Sequence, residues 1–259
     1  MSKADTVEHA YISEIFASYQ GEGACAGERH LFVRFAGCNV RCRYCDTPDS
    51  LVRTPGCSVD YPDGTHSDLD NPLTLDQLAE IVERCCRCDP GIAMVAITGG
   101  EPMMQSAFIA RWLAERPPPV GCLLETNALI DSHLDRIVPR LAVVSADVKL
   151  PSNSGEGDRW QQHRRFLQRC ADGHRSATTR VYVKMPVDEH TSDADVRRGA
   201  RMVAEALPEA PLFVQPITSP QSGAWQLSQP RLLHLWRSAV SEAPLATMRP
   251  QLHKLTGLR

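Results

Sequence analysis

A chain of 259 residues that is 42% apolar and 23% charged can bury a large core and remain in water, which excludes a disordered polymer. Its formal net charge of −3 offers no general attraction for nucleic acid. Its longest apolar runs, such as residues 92–97, fall well short of the roughly 20 residues needed to cross a bilayer, so no membrane span is expected.

The opening run Met1-Ser2-Lys3-Ala4-Asp5-Thr6-Val7 has no apolar leader, which predicts a cytoplasmic protein with reduced cysteines. Strands are expected at 10–17 and 31–35, flanking the loop Gln20-Gly21-Glu22-Gly23. Residues 50–73 carry Pro55, Gly56, Pro62, Asp63, Gly64 and Pro72 with little periodicity, and read as a long irregular insertion. From Thr74 a helix is expected, with apolar residues at 75, 78, 81 and 82 and a Thr74/Gln77 capping box. Strands at 94–97, 121–125, 142–145, 180–184 and 212–215 then alternate with helices at 106–115, 132–138, 158–170, 192–206 and 230–240. The alternation predicts a single α/β domain: a partial, open (β/α)6 barrel-like parallel sheet with its active face at the carboxyl ends of the strands.

Cys38, Cys42 and Cys45 follow the strand at 31–35 with the spacing C-x3-C-x2-C. Soft thiolates on one short loop can reach three corners of an iron–sulfur cube, leaving one iron open for another ligand. A structural zinc site calls for four ligands, and the next cysteine, Cys57, lies across a Pro/Gly-containing stretch. Cys85, Cys86 and Cys88 end the helix begun at Thr74 and point to different faces, so no second cluster is expected there. Cys25, Cys57, Cys122 and Cys170 receive no role.

The cysteine loop and Gly99-Gly100-Glu101-Pro102 after a later strand together resemble the radical S-adenosylmethionine enzymes. Within them the chain is similar to the 7-carboxy-7-deazaguanine synthases. The likeness rests on residues 16–23, 32–39, Cys45-Asp46-Thr47, Glu125-Thr126-Asn127, Asp147-Val148-Lys149 with 151–155, and Pro250-Gln251-Leu252-His253-Lys254. The resemblance implies a [4Fe-4S] cluster on Cys38, Cys42 and Cys45, with S-adenosylmethionine on its open iron. It implies cofactor contacts from Tyr44, Cys45, Asp46, Gly100, Glu125, Asp147, Val148 and Lys149, with Asn127 beside them, and a magnesium ion on Thr47. Gly99 and Gly100 are expected to let the cofactor approach the backbone closely. Ala128 stands where the family often has glycine.

The implied substrate is 6-carboxy-5,6,7,8-tetrahydropterin, whose donor-bearing ring edge suits amides and acids and whose carboxylate suits a cation. Gln20, Gly21, Glu22, Arg34, Thr98 and His253 are the residues assigned to it. The implied reaction is hydrogen abstraction from C6 by an adenosyl radical, ring contraction, return of the hydrogen and loss of ammonia, giving 7-carboxy-7-deazaguanine on the way to queuosine-type compounds. A reductase or flavodoxin-like electron donor and a homodimer are implied as well. Two rival readings are a glycyl-radical enzyme activating protein and a non-enzymatic metal or iron–sulfur binding module.

Overall fold

The computed structural model describes residues 8–176, 179–219 and 222–258; the run Met1–Val7, from which the cytoplasmic expectation came, lies outside them. The chain opens with β1 (His9–Ala10), β2 (Ile12–Tyr19) and β3 (Arg29–Phe35). The segment expected to be an irregular insertion is instead a hairpin of β4 (Gly56–Asp60) and β5 (His66–Asp70), followed by β6 (Leu73–Thr74). The turn residues sit between and beside two short alternating runs, so the Pro/Gly signals mark the ends of strands and not their absence.

Then come α1 (Leu75–Cys88), β7 (Met94–Gly99), α2 (Ser106–Glu115), β8 (Gly121–Thr126), α3 (Leu134–Ile137) and β9 (Val143–Asp147). The second half holds α4 (Pro151–Ser154), α5 (Trp160–Ser176), β10 (Arg180–Val187), α6 (Asp193–Ala206), β11 (Leu212–Pro216), α7 (Gln229–Val240), β12 (Ala246–Met248) and α8 (Leu252–Thr256). Helix starts follow the sequence: Thr74 and Gln77 form the capping box of α1, and Ser192 and Ser228 cap α6 and α7. The helix expected at 132–138 shrinks to α3, because Pro139 leads into a turn of 3-10 helix.

One ten-stranded sheet runs in the order β12-β11-β10-β9-β8-β7-β3-β2-β4-β5. The first seven of these strands are mutually parallel, joined by six connections that each contain a helix; β2 lies antiparallel to β3 and β5 antiparallel to β4. The sheet is open, with β12 and β5 at its edges.

Side chains alternate across this sheet, and the two faces have different fates. Leu31, Val33, Phe35, Val95, Ile97, Leu124, Val144, Val183 and Val214 join the core that also includes the helices. Phe16, Phe32, Met94, Ala96, Leu123, Val143, Tyr182 and Phe213 form a second, smaller apolar cluster on the opposite face. One step further toward the carboxyl ends, that same face turns polar: Arg34, Thr98, Glu125, Asp147, Lys184 and Gln215 occupy the next inward positions. Parallel register sets them shoulder to shoulder, with Arg34 beside Thr98 and Asp147 beside Lys184.

Candidate active site

The polar row lines a cavity that encloses about 1320 Å³, open to solvent, floored by Phe16 and Phe32. Cys38, Cys42, Tyr44, Cys45, Asp46 and Thr47 wall one side, and Gln20, Gly21, Glu22, Gln251 and His253 close another. Every residue predicted for the site reaches this cavity except Val148. That side chain is fully buried in the helix-side core and its N–H donates to the Lys184 carbonyl at 2.9 Å, so neither of these groups is offered to the cavity.

The cysteine loop is clamped on both flanks. Gly37 N–H donates to Ser50 O at 2.8 Å and Cys38 N–H to Leu51 O at 3.2 Å. The Arg41 guanidinium donates to the Cys38 and Val40 carbonyls at 2.8 Å each, while Arg41 N–H donates to Glu156 Oε1 at 2.6 Å. Arg43 reaches the other way, to Asn153 O at 3.0 Å and Ser152 O at 2.8 Å on α4. The three cysteines are free and half-buried. Burial, with the neighbouring thiols, pushes the Cys38 and Cys42 thiols up, so a bound metal must displace their protons.

Among the described residues, no three His, Cys, Asp or Glu side chains converge on a single metal ion. A cube differs in that each cysteine meets a separate iron, so its thiolates need not converge on one point as zinc ligands must.

The glycine pair at the end of β7 meets packing demands beside the cofactor approach expected of it. A Cβ on Gly99 would collide with the backbone of Phe35, and one on Gly100 would lie 2.5 Å from the carbonyls of Gly37 and Ser50. Their bareness lets β7 pack against β3 and the cysteine loop. Glu101 is buried beneath them and accepts from Met103 N at 2.9 Å, Thr126 Oγ1 at 2.7 Å and Asn127 N at 2.7 Å. Burial outweighs these bonds and pushes its carboxyl up to about 7. Asn127 Nδ2 donates to Asn39 Oδ1 at 2.8 Å, tying the β8 end to the same loop. Ala128 takes a left-handed φ of 56°, the conformation its family's glycine favours.

On the opposite wall, Gln20 Nε2 donates to Glu125 Oε1 at 3.1 Å, Thr98 Oγ1 to Glu125 Oε2 at 2.9 Å, and Glu22 N–H to Gln20 Oε1 at 3.0 Å. Arg34 Nε donates to Glu14 Oε1 at 2.6 Å and its guanidinium lies over the Phe16 ring, 5.7 Å from the centroid, with its two terminal nitrogens making no hydrogen bond among the described residues. Gly21 packs under His253, and Leu252 N–H donates to Gly21 O at 2.8 Å. Lys149 Nζ donates to Asp147 Oδ2 at 3.0 Å and stands 5.6 Å from the Tyr44 ring centroid.

Burial alone would raise the Asp46 carboxyl, but His253 and Lys254, the latter at 3.2 Å, outweigh it and hold it well below the usual range. Thr47 starts the 3-10 turn Pro48–Leu51, yet its side chain makes no cap bond; its Oγ1 lies 3.9 Å from Cys45 Sγ.

Sequence reasoning missed Lys184, Gln251, Lys254, Glu14 and Gln215. Gln251 and Lys254 stood inside a quoted motif, and Lys184 closes the apolar run expected as a strand at 180–184, so the signal was present and unread. Of the ten buried side-chain atoms without a hydrogen-bond partner among the described residues, Tyr44 Oη, Gln215 Oε1 and Thr218 Oγ1 line this cavity; a fourth, Asp147 Oδ1, lies in it but is ion-paired with Lys184 at 3.2 Å. Orphaned polar atoms concentrated in one cleft fit a polar cofactor lying against them. No helix is long and apolar enough to cross a membrane, among the described residues.

A family profile described as the Radical SAM superfamily matches residues 32–194. The chain is similar to the 7-carboxy-7-deazaguanine synthase of Geobacter sulfurreducens, 33% identical over 96% of this chain and 97% of that one. It is similar also to the 7-carboxy-7-deazaguanine synthase of Methanothermobacter thermautotrophicus, 32% identical over 96% of this chain and 98% of that one. Among solved structures, QueE from Escherichia coli shares the fold, with a TM-score of 0.61 over 98% of this chain and 100% of that one at 19% identity.

Proposed function

The chain belongs to the radical SAM superfamily and, within it, to the 7-carboxy-7-deazaguanine synthases, and from that premise we propose how its own residues divide the work. The enzyme carries out the radical ring contraction of 6-carboxy-5,6,7,8-tetrahydropterin to 7-carboxy-7-deazaguanine, with loss of ammonia. Membership over nearly the full length displaces the activating-enzyme and binding-module readings. The observation that carries the assignment of the site is one cavity walled by Cys38, Cys42 and Cys45 on one side and by Gln20, Glu22 and Arg34 on the other.

Cys38, Cys42 and Cys45 hold the cluster, and Tyr44, Cys45, Asp46, Gly100, Glu125, Asp147 and Lys149 line the place of S-adenosylmethionine. When bound, these two groups supply the one-electron cleavage and the hydrogen-abstracting carbon. The protein binds, orients and screens. Gln20 and Glu22 present acceptors and a donor to the pterin ring edge, with Gln20 fixed by its bonds to Glu22 and Glu125. Arg34, its Nε braced by Glu14, offers its terminal nitrogens to the substrate carboxylate. Thr98 orients Glu125, and His253 covers Gly21 at the mouth. Placing the pterin carbon and the abstracting carbon in contact is worth more than any single bond here, since fixed geometry can supply roughly 7–11 kcal/mol of a barrier.

Thr47 is our candidate magnesium ligand. Its hydroxyl is unused as a helix cap, and a hard cation accepts one protein oxygen when substrate and water oxygens complete the octahedron. We propose further that the chain is one cytoplasmic domain, draws its electron from a reductase or flavodoxin-like donor and works as a homodimer; the family likeness supports these readings.

Anaerobic reconstitution followed by assay with the carboxypterin, with and without magnesium, tests the reading. The expected result is turnover, lost in Cys42→Ala and Arg34→Ala. In Thr47→Ala, the magnesium concentration needed for half-maximal rate is expected to rise about tenfold, equivalent to losing one ligand bond of about 1.4 kcal/mol. A reconstituted enzyme that cleaves S-adenosylmethionine but never converts the pterin would overturn the substrate assignment.

A further inference from the structure

Lys184 lies in the middle of β10 with its side chain 4% exposed, and two carboxylates meet on it. One is Glu22, from the loop after β2, in a short ion-paired hydrogen bond; the other is Asp147, whose Oδ1 is 3.2 Å away. Asp147 in turn accepts from Lys149 through Oδ2 at 3.0 Å, and Glu22 Oε1 accepts from Gln251 Nε2 at 2.8 Å. The result is a continuous run of alternating charge, Glu22–Lys184–Asp147–Lys149, crossing the cavity from the wall assigned to the pterin to the wall assigned to the cofactor.

A buried lysine is costly unless paired, so the same ammonium that Glu22 and Asp147 satisfy also fixes where both carboxylates stand. Burial works against the charged form of both lysines, and the carboxylates outweigh it. Register makes the arrangement rigid, because Lys184 and Asp147 are paired neighbours on adjacent parallel strands. Glu22 is the member from outside the sheet: it sits on the loop after β2 and reaches Lys184 across 162 positions of sequence.

We infer that Lys184 is a positioning residue that joins Glu22 to Asp147, so that the pterin and cofactor halves of the cavity are ordered together and each ligand binds more tightly when the other is present. The inference rests on the site reading above. When one ligand settles its carboxylate, Lys184 is drawn to one place and the opposite carboxylate is already oriented for the second ligand, which then loses less freedom on binding. Reciprocity follows, since coupling between two sites is one free energy.

The test is calorimetry on the reconstituted enzyme without reductant, so that no turnover occurs. The Kd for S-adenosylmethionine is measured with and without saturating carboxypterin, in wild type and in Lys184→Gln, which keeps an amide donor between the carboxylates. Wild type is expected to bind the cofactor at least about fivefold more tightly when the pterin is present. In Lys184→Gln that ratio is expected to fall to near one while each ligand still binds alone. If Lys184→Gln fails to fold or to keep its cluster, Lys184→Met takes its place, with the same expectation for the ratio. A folded variant that keeps the wild-type ratio overturns the inference, as does a wild type that binds both ligands with no coupling. A wild type that does not bind the pterin at all refutes the site reading instead.

Discussion

Glu101 places two oxygens against three donors in a fully buried setting, and two opposing effects decide its state. Burial is the larger and raises the carboxyl from 4.5 to about 7. The folded protein therefore binds this proton more tightly than the unfolded chain does. Its contribution is complete below pH 4.5 and is lost as pH rises to about 7, a swing of about 3 kcal/mol at about 1.36 kcal/mol per unit. Glu101→Gln, which cannot titrate, is expected to flatten that part of the stability curve measured by denaturant unfolding. It should also lower stability near neutral pH by about 1–3 kcal/mol, because an amide nitrogen then faces one of the three donors.

At Gly100, alanine would press on the Gly37 and Ser50 carbonyls; Gly100→Ala is expected to cost about 1–3 kcal/mol and to reduce the iron bound after reconstitution. Ala128 offers a contrary case. Glycine there would relieve about 1–2 kcal/mol of left-handed strain, but would lose a buried methyl worth about 0.8 and add about 0.5–1 of chain entropy. Ala128→Gly should thus leave the melting temperature nearly unchanged. Residues of this kind were legible in the sequence only as motif letters. That Gly99 and Gly100 serve chain packing could not be read, because the neighbours they make room for lie some 50 to 65 positions earlier in the chain.

Elements were more legible than contacts. Periodicity placed α1, α2, α5, α6, α7 and six of the seven parallel strands, since apolar runs between capped helices leave few other choices. The hairpin of β4 and β5 was missed although its signal was on the page: Asp63-Gly64 between two alternating runs, with Gly64 at a φ of 84°. The proline content of that segment obscured it. As the outer strand, β5 exposes His66, Asp68 and Asp70 on one face, with His66 bonded to Asp60 of β4 at 2.8 Å, and charge along an edge strand discourages pairing with another chain.

The short α4 was missed too, and it matters more, because Arg43 hangs the cysteine loop on its carbonyls while Glu156 just beyond it takes the Arg41 amide. Arg43→Ala is expected to leave the sheet intact by circular dichroism yet lower retention of the reconstituted cluster severalfold, read as absorbance lost during a chelator challenge. Unchanged cluster retention would show that the cysteine loop stands without this tie.

At the scale of the molecule, an inward row spread over six parallel strands makes the cavity, and no single stretch of sequence contains it. The alternation that buries Val33, Ile97 and Val183 on one face is the same alternation that turns Arg34, Thr98 and Lys184 inward, so fold and site follow from one periodic rule. What the rule cannot supply is the closure by Gln251, Leu252, His253 and Lys254, which reach Glu22, Gly21 and Asp46.

Gln251 meets Glu22 across 229 positions. The ribosome therefore makes every strand of the sheet before it makes the residues that shut the pocket. A chain cut before Gln251 would therefore carry every strand of the sheet and still lack the contacts of Gln251, Leu252 and Lys254 with Glu22, Gly21 and Asp46 that shut the pocket.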